Sequence, residues 1–131
     1  MSNDITEKIV SELAFDDDGL IPAIAQQADT GEVLMMAWMN ADAVRETLVT
    51  GRVCYWSRSR GALWRKGETS GQIQELREFR WDCDSDTVLL QVEQTGVACH
   101  TGRRSCFFKA VRDGEVTVIA EVEKDPGDLY S

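Results

Sequence analysis

Cys83, Cys99 and Cys106 fall with Asp82, Asp84 and Asp86 in one stretch of 25 residues, Asp82 to Cys106. Thiolates are soft donors that suit zinc, whereas carboxylates are hard donors that suit magnesium. Two donor sets side by side predict two neighbouring metal sites, and neighbouring metals point to catalysis. The chain has no Cys-x-x-Cys pair, the device by which structural zinc sites take two ligands from one tight turn. Cys99 and Cys106 are seven apart with Gly102 between them, so one bent loop can present both, while Cys83 sits on a separate element. Three protein ligands leave a fourth tetrahedral position open, the mark of a catalytic zinc site. His100 is adjacent to Cys99 and poorly placed to reach the same ion. Cys54 alternates within an apolar run, where a buried inert thiol is the common outcome. Three thiolates make a zinc site anionic, so a water there needs a base or a cation close by. His100, the chain's one histidine, fits as that base with an ordinary pKa of about 6.5. It fits equally as an acid or as a hydrogen-bonded scaffold, and the cysteines also suit three buried thiols without a metal.

The aspartates share one parity, so on a strand they face one way while Cys83 and Ser85 face the other. Alternate strand residues are about 6.6 Å apart, which separates Asp82 from Asp86 by about 13 Å. Magnesium holds its ligands at about 2.1 Å, so the chain must turn near Ser85 or waters must bridge. A solvated acidic turn between two strands is the other reading of the same residues. An EF-hand loop is excluded, because the glycine and the distal glutamate are missing.

The whole chain of 131 residues is long enough for one domain with its own core. Its net charge of −9 excludes a non-specific binder of nucleic acid or of an anionic membrane. Residues 51–66 nevertheless hold Arg52, Arg58, Arg60, Arg65 and Lys66, and residues 95–112 hold Arg103, Arg104, Lys109 and Arg112, with no acid in either segment. Two basic islands in an acidic chain suit a cleft for a small, highly charged anion; a solvated basic face is the plainer alternative. The longest strongly apolar run, Val33 to Met39, is far too short to cross a membrane. The acidic amino terminus lacks the layout of an export signal. The expected location is the cytoplasm, where cysteines serve as thiols or metal ligands rather than disulfides.

These residues must be positioned by the elements around them. Leu20 to Ala28 and Val33 to Met39 read as a hairpin around Asp29-Thr30-Gly31-Glu32. Asn40 reads as the N-cap of a helix over Ala41 to Thr50 that ends at Gly51. Further strands are expected at Val53 to Ser57, Ile73 to Cys83 and Thr87 to Gln94, with a hairpin of Phe107 to Val111 and Val116 to Val122 around Asp113-Gly114. Gly61 and Gly67 to Gly71 mark loops, and Lys124 to Ser131 reads as a frayed end. The fold class is α+β: one small domain, mostly antiparallel sheet, one main helix. So much sheet with so little helix leaves a face uncovered, which suits a dimer.

The segment Asp82 to Phe107 resembles the signature of the phosphoribosyl-AMP cyclohydrolase family of histidine biosynthesis. Gly19 to Ala23, Met39-Asn40, Tyr55 to Arg60 and Leu63 to Gly71 share the resemblance, which spans about residues 15–110 within a single 1–131 domain. It implies zinc on Cys83, Cys99 and Cys106, magnesium on Asp82, Asp84 and Asp86, and an intertwined homodimer whose zinc ligands come from both chains. It implies a nucleotide substrate: an adenine ring with a phosphoribosyl group on N1 and a ribose phosphate on N9. Zinc-activated water would attack C6 and the N1–C6 bond would break. Arg58, Arg60, Arg65, Lys66, Arg103 and Arg104 are the candidates for the two phosphates. The Gly67–Gly71 loop adds backbone N–H groups with Thr69 and Ser70. Trp64 would stack on the purine, or sit in the core, and His100 would move a proton. A fused pyrophosphohydrolase domain, which some relatives carry, is not expected at this length.

Two other functions compete. A zinc base deaminase also attacks C6 of adenine, but it uses His-x-Glu with Pro-Cys-x-x-Cys, and here Thr101 and Gly102 follow His100. A structural-zinc or redox-sensing module would unfold when zinc is removed and would have no use for Asp84.

Overall fold

In β1 (Ile21–Gln27) every second residue, from Ile21 through Ala23 and Ala25 to Gln27, is buried. In β6 (Val88–Gln94), Val88, Leu90 and Val92 are fully buried. That period of two fixes which face of each strand looks inward. The computed structural model describes residues 3–129. β1 pairs antiparallel with β2 (Val33–Met39), and β2 with β3 (Cys54–Ser57). β4 (Ala62–Arg65) extends the sheet beyond β3, while β5 (Gln74–Trp81) pairs with β6. The order is β4-β3-β2-β1-β6-β5. β1 and β6 are parallel, which the long intervening chain permits. The sheet curls, because Arg52 bridges to Glu75 and the Val53 N–H donates to the Gln74 carbonyl at 3.0 Å. β7 (Lys109–Arg112) and β8 (Glu115–Val118) form a separate antiparallel ribbon.

Two helices close one side. α1 (Asn3–Glu12) packs on α2 (Ala41–Thr50), and α2 packs on β2, β3 and β5. α2 sends Ala43, Val44 and Leu48 into the core with Leu34, Met39, Tyr55 and Leu90. Its start is fixed as the sequence predicts: Asn40 Oδ1 accepts the Ala43 N–H at 2.8 Å. Its end is Gly51 at φ +75°, whose N–H donates to the Thr47 carbonyl at 2.9 Å. Arg45 on α2 ties to Glu7 on α1 at 2.8 and 3.0 Å.

The α+β class and the mostly antiparallel sheet stand, but more helix is present than was expected. α1 is as long as α2 and went unread because its residues are mainly polar, with Thr6 its one buried residue. A short α3 (Pro126–Leu129) lies where a frayed end was expected, and it buries Leu129; residues 130–131 lie outside the described part. β4 is four residues between two glycine turns, too short to show a period. Among the described residues, no helix is long and apolar enough to cross a membrane.

Replacing Asn40 by Ala removes the first hydrogen bond of α2, and the expected loss is about 1 kcal/mol of stability. Urea unfolding measures it, and an unchanged midpoint would show that the cap contributes nothing.

Candidate active site

The β5–β6 connection, residues 82–87, builds the carboxylate cluster. Ser85 adopts φ +65°, a left-handed turn and one of the two ways the spacing left for the three aspartates to share an ion. The Ser85 N–H donates to the Asp82 carbonyl at 3.0 Å, and the Asp82 N–H donates to the Thr87 carbonyl at 3.0 Å. The reversal gathers Asp82, Asp84 and Asp86 so that one oxygen of each lies within 4.8 Å of the others, all exposed. Asp82 Oδ1 accepts the N–H groups of Asp86 and Thr87 at 3.0 and 3.2 Å. Desolvation pulls this carboxyl up, but those backbone bonds outweigh it and hold Asp82 below the usual range. Asp86 moves the other way, raised by its close contacts with the Asp84 and Asp82 carboxyls. Three crowded carboxylate oxygens fit a hard divalent cation.

Cys99 and Cys106 also come together. Their loop is closed by the Ala98 and Cys99 N–H groups donating to Arg104 and Arg103 carbonyls at 2.9 and 3.1 Å, and the Cys106 N–H donates to the Leu34 carbonyl of β2 at 2.7 Å. Gly102 sits at the bend with φ +85°, where a Cβ would stand 1.8 Å from the Lys124 carbonyl oxygen. The two thiols line one pocket together and shift each other's pKa. Burial pushes Cys106 up to about 12, helped by the charge of Cys99. Burial acts on Cys99 too, but the Thr101 hydroxyl, at 3.1 Å, leads the contacts that bring it below its ordinary value. The two thiols are thus pushed in opposite directions.

Cys83 does not join them. It is exposed in the aspartate turn, beyond the start of β6, whereas Cys99 lies beyond its end. A seven-residue strand rises about 20 Å, which a cysteine side chain cannot cross. Among the described residues, the aspartates are the one group of three metal-type ligand atoms within 4.8 Å. Cys54 is buried, with its thiol raised to about 12, first by burial and then by Glu46.

A cavity of about 230 Å³ lies against Cys106, lined also by Met35, Ala37, Trp64, Lys66 and His100 among others. A cleft of about 350 Å³ next to it holds Arg60, Trp64, Arg65, Lys66, Thr69 and Ser70. Trp64 and Lys66 line both. Lys66 is only 8 % exposed, and burial lowers its pKa against the opposing charges of Cys106 and Cys99. Its Nζ lies 5.7 Å from the centre of the Trp64 ring. Trp64 in turn packs on Tyr55 with ring centres 5.5 Å apart. Gly67 at φ +82° starts the loop; a Cβ there would meet the Ile73 nitrogen at 2.5 Å, so only glycine fits.

The other basic residues are engaged elsewhere. Arg65 chelates Glu46 at 2.8 Å through two nitrogens, and Arg58 lies 4.8 Å over Trp38. Arg103 stacks 4.1 Å over Phe108 and donates to the Ala120 carbonyl. Arg104 bonds the Gln94 and Gly96 carbonyls at 3.1 and 2.7 Å, Gln27 Oε1 at 2.6 Å and Glu32 at 3.3 Å. It anchors the cysteine loop.

Sequence reading missed a set of glutamines that supports this end of the sheet. The Tyr55 hydroxyl donates to Gln74 Oε1 at 2.7 Å, and Gln74 Nε2 donates to Gln94 Oε1 at 2.9 Å. Gln94 Nε2 reaches the Gln72, Thr95 and Val97 carbonyls, while its backbone N–H donates to Gln27. The available signal was parity, since Gln27 and Gln94 continue the inward-facing series of β1 and β6.

Burial pushes Cys106 up to about 12, so any metal that binds it must displace a proton. Zinc affinity is expected to rise with pH between about 7 and 9, by about tenfold per unit for each proton released. Competition against a chromophoric chelator measures this, and an affinity independent of pH would remove Cys106 from the ligand set.

The sequence model described as phosphoribosyl-AMP cyclohydrolase matches residues 35–108. A protein of Rhodospirillum centenum named phosphoribosyl-AMP cyclohydrolase is 65% identical over 130 residues, covering 99% of this chain and 98% of its own. One of Paramagnetospirillum magneticum with the same name is 65% identical over 122 residues, covering 93% of this chain and 92% of its own. One of Hydrogenovibrio crunogenus, again so named, is 60% identical and covers 95% of this chain and 84% of its own. The chain belongs to the phosphoribosyl-AMP cyclohydrolase family.

Proposed function

We propose that this protein opens the adenine ring of 1-(5-phosphoribosyl)-AMP in histidine biosynthesis, as a cytoplasmic homodimer. Water adds to C6, the N1–C6 bond breaks, the proton goes to N1, and the exocyclic amine stays as a carboxamide. The observation that carries this reading is the wall formed by Trp64 and Lys66, shared by the anion cleft and the thiol cavity. A substrate with its phosphate in the cleft has its base against that cavity.

The donor sets fit the metals the resemblance implies. The crowded oxygens of Asp82, Asp84 and Asp86 suit magnesium, and Cys99 with Cys106 offers half of a tetrahedral zinc site. Zinc, when bound, supplies a Lewis acid that makes water nucleophilic near neutral pH. The chain's own residues do the rest. Trp64 stacks on the purine, and Arg60, Lys66, Thr69 and Ser70 hold a phosphate. Arg58, Arg65, Arg103 and Arg104, whose guanidiniums are engaged within the chain, hold the surrounding loops. His100 lines the cavity beside Cys106 and there takes the proton from water or delivers it to N1. Cys83 reaches the thiol pair from a second copy, since β6 separates them within one chain.

The direct test is incubation with 1-(5-phosphoribosyl)-AMP, Zn²⁺ and Mg²⁺, following imidazole-carboxamide absorbance. Ring opening without ammonia is expected; ammonia release would instead make the protein a deaminase. His100→Ala is expected to lower kcat by about a hundredfold, and unchanged turnover would remove His100 from the chemistry. Cys83→Ala and Cys99→Ala are each expected to be inactive. Mixed with subunit exchange, they rebuild one intact site in each mixed dimer, about a quarter of normal activity overall. A mixture that stays inactive would sink the shared site.

A further inference from the structure

Gln72 stands where the cleft and the thiol loop meet. It follows the Gly67–Gly71 loop and is only 6 % exposed. Towards the cleft, its backbone N–H donates to the Ser70 hydroxyl at 3.2 Å and its Nε2 donates to the Ser70 carbonyl at 3.1 Å. Towards the thiols, its Oε1 accepts the Val97 N–H at 2.9 Å, two residues before Cys99. Gly96 lies so close that a Cβ there would stand 1.8 Å from the same oxygen. The partners fix the orientation of the carboxamide, because a carbonyl can only accept and an N–H can only donate.

We infer that Gln72 is a positioning residue that sets the cysteine loop against the anion loop, so that one carboxamide fixes the span between bound phosphate and reacting carbon. This rests on the cyclohydrolase reading above. Glutamate at this position keeps the acceptor for Val97 and loses the donor to Ser70. Methionine has the length and neither bond. Neither change touches a cysteine, His100 or the ring-stacking Trp64. Displacing one loop against the other therefore acts on the geometry of reaction more than on phosphate binding, and small misplacements of reacting groups are costly in rate.

The test compares Gln72→Met and Gln72→Glu with Gln91→Met. Gln91 is equally buried, with its Nε2 on Gln26 Oε1 at 2.6 Å, away from both loops. Two measurements are made: kcat and KM on 1-(5-phosphoribosyl)-AMP, and the visible spectrum of the cobalt(II)-loaded protein, which reports thiolate geometry. Gln72→Met is expected to lower kcat by about tenfold or more with KM within about threefold, and to shift the cobalt bands. Gln72→Glu recovers the cobalt spectrum and part of kcat, and Gln91→Met matches the wild type in both. Wild-type kcat and cobalt spectrum in Gln72→Met, or equal losses in Gln91→Met, would overturn the assignment. If Gln72→Met does not fold, Gln72→Glu decides by its kcat, which must fall. If the wild type does not turn over, the reaction reading fails, and the cobalt spectra alone decide the positioning role: a shift confined to Gln72→Met supports it and no shift overturns it.

Discussion

A strand of seven residues cannot fold back on itself, and β6 therefore keeps the two loops it joins at opposite ends of the sheet. The aspartate turn with Cys83 precedes it, and the loop with Cys99, His100 and Cys106 follows it. Both ends of β6 are pinned. Its start is locked to β5 through Trp81 opposite Val88, and its course is locked to β1 in parallel register. No rotamer change brings Cys83 to the other thiols, so the sequence-level trio divides into one and two. Within one chain the thiols therefore lie at the two ends of β6, Cys83 at its start and Cys99 with Cys106 beyond its end. Under the shared site proposed above, assembly would be a condition of activity rather than an addition to it.

The end that holds the thiol pair is built to tolerate charge in a buried place. Lys66 is an ammonium group in a site that penalises it, and the nearby thiols are the groups that favour its charged form. The thiols, in turn, are shifted apart: burial raises Cys106, while the Thr101 hydroxyl leads the contacts that lower Cys99. Around them every buried carboxamide found has a partner: Gln74, Gln94, Gln72 and Gln27 form one connected set. A fully satisfied polar network in a low-dielectric interior is stiff, because each displaced group would lose a bond that water cannot replace. That stiffness gives the cysteine loop, which has no regular secondary structure, a defined place.

Much of this was legible because local chemistry and global fold agreed. The hairpin of β1 and β2, the capped helix α2 and the turn at Ser85 each followed from short-range rules: parity, an Asn N-cap, a Gly C-cap and a coordination distance. α1 and β4 were not legible, since α1 buries little of its own surface and β4 is too short to have a period. The parallel pairing of β1 with β6 joins residues more than sixty apart and leaves no local mark. Arg104 shows the limit of reading charge. In sequence it belongs to a basic island; in the fold its guanidinium is spent on two carbonyls, a glutamine and a glutamate. Counting bases identified the region, but only the folded chain distinguishes an anchoring arginine from one that faces a cleft.

The same distinction changes how the acidic chain can hold an anion. With Arg65 on Glu46, Arg58 over Trp38 and Arg103 over Phe108, the number of free cations at the cleft is small. Attraction must then come from placement rather than from quantity. Lys66 is mostly shielded from water, and a charge in such a setting acts more strongly on a nearby anion than an exposed one does. A net charge of −9 repels anions over the rest of the surface, so the cleft is favoured by contrast. Backbone geometry contributes as well: the tight turn that Gly67 alone permits holds the Thr69 and Ser70 hydroxyls on the cleft wall beside Lys66. A phosphate bound there would be held by one buried ammonium, Arg60 and a rigid turn, an arrangement that fixes orientation better than a cluster of mobile arginines.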